Sequence, residues 1–325
     1  MTEASGTAVV RASELGKSFD DVPVVKDLDL EIGTGVIVGL IGPSGSGKTT
    51  TVRLLTGIYE PTTGTASIGG TRSTALSARQ RQRVGYLPQL SALFPDLSVW
   101  ENLNFHASMY GVGLRRRRRL HRLLEWVELD EHRTKRVHQI SGGMQRRLAL
   151  AAALVHDPTV AFLDEPTAGI DPILRSRFWE RFRELRDQGR TIIVTTQYVG
   201  EAAYCDLVGV LSDGELLLLE PPEQLLRTAF RGDVLDLEVA RRIEPRDLAG
   251  LAGLDGVVSE PCEDSPRRWR VVVDDADAAI GPLGDALERS GVPVVELTRH
   301  AVDYDEAFVQ VIERHRSTMA RGDGG

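Results

Sequence analysis

Nine consecutive residues, "GPSGSGKTT" (Gly42–Thr50), combine glycines, hydroxyls and one lysine in an order suited to holding phosphate. The stretch fits the P-loop pattern GxxxxGK[ST], with Gly42, Gly47, Lys48 and Thr49 at its fixed positions. Pro43, Ser44, Gly45 and Ser46 fill the variable positions, and Thr50 follows in the helix. Glycine lets backbone N–H groups converge on phosphate oxygens, and the next helix adds its positive dipole end. Lys48 supplies charge for β- and γ-phosphates, and the Thr49 hydroxyl is placed to ligate Mg²⁺. A chance glycine-rich turn is the rival reading. A second stretch, "VAFLDEP" (Val160–Pro166), delivers Asp164 to the end of an apolar run, where it can hold the Mg²⁺ shell. Glu165 follows, positioned to polarise a water as general base. An acidic pair could instead cap a helix, a weak reading beside a P-loop.

These residues need rigid carriers. "GVIVGLIG" (Gly35–Gly42) is a continuous apolar run of the kind that forms a buried central strand, and "KTTTVRLLTGI" after the loop has the pattern of a helix. "TVAFLD" (Thr159–Asp164) and "TIIVTT" (Thr191–Thr196) read as two further buried strands. Strand-like and helix-like stretches alternate over about the first 230 residues, the pattern of a sheet covered by helices. From about residue 96 to 157 long helical periodicities replace the alternation, which predicts a helical insertion.

"EPPEQLL" (Glu220–Leu226) predicts a turn and a short helix, after which the pattern restarts. "VLDLEV", "GVVSEPC", "RRWRVVVDD" and "VPVVELTRH" read as strands; "EPRDLAGLAG", "ADAAIGPLGDALERSG" and "DYDEAFVQVIERH" read as helices. The order βαββαβ plus one helix predicts a small α+β, ferredoxin-like module over 231–316, with a disordered tail over 317–325.

The whole chain limits the possibilities. With 325 residues, 42% hydrophobic and 26% charged, it has room for two soluble domains. A net charge of −8 argues against nucleic-acid binding by the surface at large. Cys205 and Cys262 are far apart and lack metal-ligand spacing, so small buried hydrophobes in a reducing compartment is the expectation. No signal-peptide pattern opens the chain, and no apolar run approaches the roughly 20 residues needed to span a bilayer. Work at a membrane would therefore require a partner.

"ISGGMQRR" (Ile140–Arg147) decides among P-loop families. Ser141, Gly142 and Gly143 would form a second anion-binding helix start. A P-loop, this segment about 90 residues later, then Asp-Glu about 20 further on resembles the ATP-binding-cassette (ABC) ATPases over residues 8–227. The resemblance implies ATP and Mg²⁺ as ligands and a head-to-tail dimer, homo or hetero. In it, Ser141, Gly142 and Gly143 meet the γ-phosphate held by the other protomer. It further implies that Phe19 stacks on adenine, with a core aromatic as the rival reading. Gln89 in "GYLPQ" would sense Mg²⁺ and attacking water, and Asp171 in "AGIDP" would lie at the dimer seam. A separately encoded transmembrane permease subunit, at the cytoplasmic face of the membrane, completes the expectation; no nucleic acid is expected. Met144 departs from the commoner LSGGQ, and "SGGMQRR" with the C-terminal module looks like the branch that drives drug, antibiotic or polysaccharide exporters. The rivals are a non-transport ABC ATPase acting on nucleic acid or ribosomes, and a slow regulatory cassette paired with an active one.

Two stretches stand apart. "GLRRRRRLHRLLEWVEL" (Gly113–Leu129) holds Arg115–Arg119; a solvated helix start, with Leu120, Leu123, Leu124 and Val127 packed, is favoured over a nucleic-acid or lipid patch. "TIIVTTQ" ends at Gln197, where the resemblance implies a γ-phosphate switch residue that is usually histidine. Glutamine can donate a hydrogen bond but carries no charge, so slowed hydrolysis with intact binding is expected.

Overall fold

The computed structural model describes residues 8–90, 92–243, 258–261, 265–300 and 303–322. Two compact units divide the chain between Pro221 and Pro222.

In the first unit the order is β1 (Val10–Phe19), β2 (Val22–Ile32), β3 (Ile37–Ile41), α1 (Lys48–Leu55), β4 (Thr63–Ile68), β5 (Thr71–Arg72), α2 (Ala78–Arg81) and β6 (Val84–Leu87). Then come α3 (Val99–Met109), α4 (Arg117–Trp126), α5 (Gly142–Leu154), β7 (Val160–Asp164), α6 (Pro172–Asp187), β8 (Thr191–Thr196), β9 (Leu207–Ser212) and β10 (Glu215–Glu220). Six strands form one sheet in the order β10-β9-β3-β8-β7-β6, parallel except for β10. Every residue of β3, β7 and β8 is buried, which is why their sequences are apolar without alternation. An antiparallel sheet, β2-β1-β4-β5, which the alternation of strand and helix in the sequence does not suggest, completes the strand framework.

Strands of both sheets and α1 share a core in which Leu15, Leu28, Ile32, Leu54 and Phe162 are wholly buried. Each such side chain contributes roughly 1.5–3 kcal/mol by leaving water. On α6, Phe178, Trp179 and Phe182 are also wholly buried.

The helical insertion is present as α3, α4 and α5. Ser98 and Glu101 start α3 with a capping box, satisfying N–H groups at both ends of that pair. On α4, Leu120 and Leu124 are buried, followed by buried Val127, while Arg115, Arg117 and Arg118 are exposed. "VGEAAY" after β8 forms a 3₁₀ helix over Val199–Tyr204.

The second unit begins one helix earlier than the boundary expected at residue 230. It starts with α7 (Pro222–Phe230), whose Thr228 carbonyl accepts a hydrogen bond from Arg314 of the closing helix. Strands β11 (Asp233–Val239), β12 (Val258–Pro261), β13 (Arg268–Val273) and β14 (Val294–Arg299) form an antiparallel sheet in the order β12-β13-β11-β14. Helices α8 (Ala276–Arg289) and α9 (Tyr304–Gly322) accompany it, and Leu235, Trp269, Val271, Leu283 and Leu287 fill its core. The helix expected from "EPRDLAGLAG" lies outside the described residues. The expected disordered tail is corrected in part: α9 continues to Gly322. "STMAR" contains no glycine or proline and is rich in helix formers, so nothing local ends the helix before Gly322.

Candidate functional site

Three adjacent parallel strands end together. Ile41 of β3 pairs with Thr196 of β8, and Asp164 of β7 pairs with Thr195. The P-loop, the Asp-Glu pair and the segment beginning at Gln197 therefore emerge side by side at the carboxyl edge of the sheet, where open α/β sheets bind ligands.

Close packing explains the loop glycines. A Cβ on Gly42 would lie 2.3 Å from the Leu211 carbonyl oxygen. Gly47 has φ 97° and a Cβ there would stand 2.8 Å from the Val24 carbonyl oxygen, so no other residue fits without strain. Helix α1 starts directly after Gly47 without a side-chain cap, which leaves its first N–H groups for an anion. Pro43, Ser44 and Gly45 are exposed at the crest of the loop. A cavity of about 190 Å³ is lined by Ser44 to Thr50 together with Val24, Gln89 and Glu165. Within the loop, Lys48 Nζ donates to the carbonyls of Gly42 at 2.7 Å and Pro43 at 2.9 Å. Burial lowers the Lys48 pKa, and the nearby charges of Glu165 and Asp164 oppose that shift.

Asp164 is fully buried. Its Oδ1 accepts from Thr195 Oγ1 at 2.5 Å and from Thr49 Oγ1 at 3.2 Å. Its Oδ2 is buried with no hydrogen-bond partner among the described residues. A buried, half-satisfied carboxyl group beside a threonine hydroxyl is the oxygen donor set a hard divalent cation takes, so Thr49 and Asp164 fit Mg²⁺. Glu165 adopts φ 51°, an uncommon conformation for a residue with a side chain. Its N–H donates to the carbonyl of Thr195 at 3.1 Å and to Oγ1 at 3.0 Å, which holds the turn. The Glu165 side chain lines the cavity with Gln89, which is itself exposed.

One residue of the site escaped the sequence reading. Arg146, on α5 and only 7% exposed, donates to four main-chain carbonyls. These are Pro88 at 2.6 Å, Gln89 at 3.0 Å, Glu165 at 3.0 Å and Asp164. It thereby fastens the Asp-Glu turn and the Gln89 loop to the helix that starts at Ser141. The available signal was an arginine three residues after a glycine pair, inside "SGGMQRR".

The remaining predicted residues stand elsewhere on the surface. Ser141 caps α5, its Oγ accepting from Met144 N–H at 3.3 Å, and Ser141 and Gly142 are exposed. Neither these residues nor Gly143 line their own chain's cavity. Asp171 is exposed and caps α6, accepting from Leu174 N–H at 3.0 Å. Phe19 is 39% exposed at the end of β1 and meets Tyr59 edge-to-face at 5.5 Å, so it is not a core aromatic. Gln197 is exposed just beyond β8, outside the cavity lining, and its neighbour Tyr198 lies under the Arg175 guanidinium at 4.1 Å. His138 and His156, the histidines flanking α5, contact the carbonyls of Pro95 and Val84. Cys205 is buried, and burial raises its thiol pKa; Cys262 lies outside the described residues.

This cradle, with an acidic pair one strand removed, defines a nucleotide-binding P-loop cassette. The family described as ABC transporter matches residues 25–168. The Nod factor export ATP-binding protein I of Cupriavidus pinatubonensis is 38% identical over 233 residues, covering 71% of this chain and 72% of that protein. The probable multidrug ABC transporter ATP-binding protein YbhF of Escherichia coli is 36% identical over 221 residues, covering 68% of this chain and 38% of that protein. Among solved structures, an ATP-binding subunit of an ABC transporter superposes with TM-score 0.63 at 27% identity, covering 68% of this chain and 92% of that one. The dimeric bacterial ABC transporter cassette MJ0796 gives 0.62 at 26%, covering 66% and 98%. The chain belongs to the ABC transporter ATP-binding subunits. Among the described residues no helix is long and apolar enough to cross a membrane.

Proposed function

We propose that this chain is the ATP-hydrolysing motor subunit of an exporter, acting at the cytoplasmic face of a membrane beneath a separately encoded permease subunit. The observation that carries the reading is Asp164: a buried carboxylate with one unpartnered oxygen, tied to Thr49 and flanked by Glu165 at the mouth of the P-loop cavity.

In this reading the N–H groups at the start of α1 and the Lys48 ammonium hold the β- and γ-phosphates of ATP, and Phe19 offers a ring face to adenine. Thr49 and Asp164, with Gln89, hold Mg²⁺, which neutralises phosphate charge when bound. Glu165 takes the proton of the attacking water, and its turn is held by Thr195 and Arg146. Gln197 can donate one neutral hydrogen bond to a phosphate oxygen. Where a histidinium would give a charge-assisted contact, the difference costs about 1–2 kcal/mol of transition-state stabilisation, roughly five- to thirtyfold in rate.

The exposed Ser141 segment and Asp171 face a second cassette in a head-to-tail dimer, homo or hetero, so that each nucleotide is enclosed by two chains. That accounts for a helix start with N–H groups and no ligand of its own chain. A mostly apolar cavity of about 320 Å³, lined by Tyr86, Pro88, Leu93, His106 and Met109, adjoins the Gln89 loop. It suits an apolar segment of the permease, and closure of the dimer would move it through Gln89.

Export rests on the two relatives, one an exporter of Nod factor and the other a probable multidrug transporter by name. The second unit supports the same branch. Its strand order, β12-β13-β11-β14, supports reading it as a ferredoxin-like accessory domain that begins at α7.

The test is Mg²⁺-dependent ATP turnover by the purified chain, compared with Lys48→Ala, followed by co-purification with the multi-span membrane protein encoded beside it. Turnover that survives Lys48→Ala would remove the P-loop from the mechanism.

A further inference from the structure

A second cavity, about 660 Å³, is lined on one side of the sequence by Arg79 and Arg83, around α2, and on the other by Tyr110, Gly113, Arg119 and His156. No aspartate or glutamate contributes to its lining. The guanidinium groups of Arg79, Arg83 and Arg119 have neither an ion pair nor a hydrogen bond among the described residues. This is not the habit of every arginine nearby. Arg116 is spent inside the fold, on Asn104 at 2.9 Å, the Val112 carbonyl at 2.6 Å and Ser108 at 2.5 Å. Arg81 donates to the Leu76 carbonyl at 3.1 Å. The run Arg115–Arg119 thus divides into one structural member and four that face outward or into the groove.

In a chain of net charge −8, arginines gathered without a carboxylate make a local positive patch that an outside anion would neutralise. Guanidinium presents paired N–H donors that match phosphate oxygens. The residue after Gly113 of the lining is Leu114, 94% exposed, with exposed Arg115, Arg117 and Arg118 close behind it. Soluble phosphate has no use for that leucine. The boundary between headgroups and acyl chains does, because it takes arginine at the surface and an apolar side chain a few ångströms deeper. Tyr110 and His156 stack at 3.7 Å in the same groove and give it a rigid, uncharged face. Burial keeps His156 below the ordinary imidazole range, and the neighbouring Arg119 charge pushes the same way.

We propose that this groove and the Leu114 tip bind the phosphate headgroups of anionic phospholipids, so that the chain grips the membrane surface directly in addition to any grip through a permease. The proposal uses no residue of the ATP site and stands apart from the proposed function.

The test is sedimentation of the full chain with vesicles of phosphatidylcholine alone and vesicles that also contain phosphatidylglycerol. Binding only to the anionic vesicles, weakening as salt is raised, is expected. Each arginine near such a surface is worth roughly fivefold in binding, so R79Q/R83Q/R119Q should weaken partitioning by about a hundredfold. The exposed single variant L114Q should lose several-fold while keeping the salt dependence. Both variants should retain wild-type ATP turnover without vesicles, which separates this experiment from the test of the motor. Equal sedimentation with both vesicle types, or a triple variant that sediments like wild type, overturns the proposal. Binding of pyrophosphate that R79Q/R83Q/R119Q abolishes, in a chain that does not sediment with the anionic vesicles, overturns the lipid as the source of the phosphate.

Discussion

The Arg146 guanidinium donates to the main-chain carbonyl of Glu165 twice, from Nη2 at 3.0 Å and from Nε at 3.2 Å. The helix that begins at Ser141 therefore grips the turn that aims the proposed base. Through the carbonyls of Pro88 and Gln89 it grips the glutamine loop as well. A displacement of α5 reaches the Glu165 turn and the Gln89 loop at once.

Replacing Arg146 by methionine keeps the bulk but leaves four carbonyls without their donor. Turnover should fall by about tenfold or more while ATP affinity stays within about threefold, because the loss is one of positioning. Arg146→Lys, which keeps the charge and some of the bonds, should recover part of kcat. An equal loss of affinity and turnover in both variants would reduce Arg146 to a support for the fold.

Glu165→Gln removes the base and leaves the phosphate cradle untouched. Turnover should fall by about a hundredfold or more, and saturating MgATP should hold the variant as a dimer in size-exclusion chromatography. A variant that stays monomeric there would contradict the nucleotide sandwich.

Gln197→His restores a side chain that can carry charge at the end of β8. Hydrolysis should rise by roughly five- to thirtyfold with little change in ATP affinity. An unchanged or lower rate would mean that the site is adapted to glutamine.

Acid should weaken the first unit through two histidines. His106 Nε2 and His156 Nδ1 are buried without hydrogen-bond partners, and burial lowers both pKa values from the ordinary 6.5. A lowered pKa in the folded chain means that the unfolded chain binds the proton more readily. The stability contributed is present above pH 6.5 and is lost as pH falls below it toward the folded values. Thermal melting should show a lower Tm at about pH 5.5 than at about pH 7.5, and H106Q/H156Q should reduce that slope.

Much of the site was legible because it is local. Gly42 to Thr50 carries its geometry in consecutive residues: a buried strand, glycines where a Cβ would strike a carbonyl, and a helix start. Asp164 and Glu165 were legible for the same reason, since an all-apolar strand announces its own end. The tail of α9 was misjudged because helix propensity in "STMAR" was outweighed by the expectation that termini fray. The boundary at Pro221 was missed by one helix, since membership of a unit depends on packing partners far away in sequence.

The sequence by itself determined that a P-loop and an acidic pair, Asp164 the proposed metal ligand and Glu165 the proposed base, lie in one chain, because each is written in a short run with its own strand. Only the tertiary structure decided which strands stand side by side, that Asp164 is left with a free oxygen, and that Arg146 joins three segments. It also decided that Arg116 is consumed within the fold while Arg79, Arg83 and Arg119 share a groove. Such facts depend on the partners available to a buried or half-buried polar group. Those partners come from segments up to 115 residues apart, at distances no periodicity encodes.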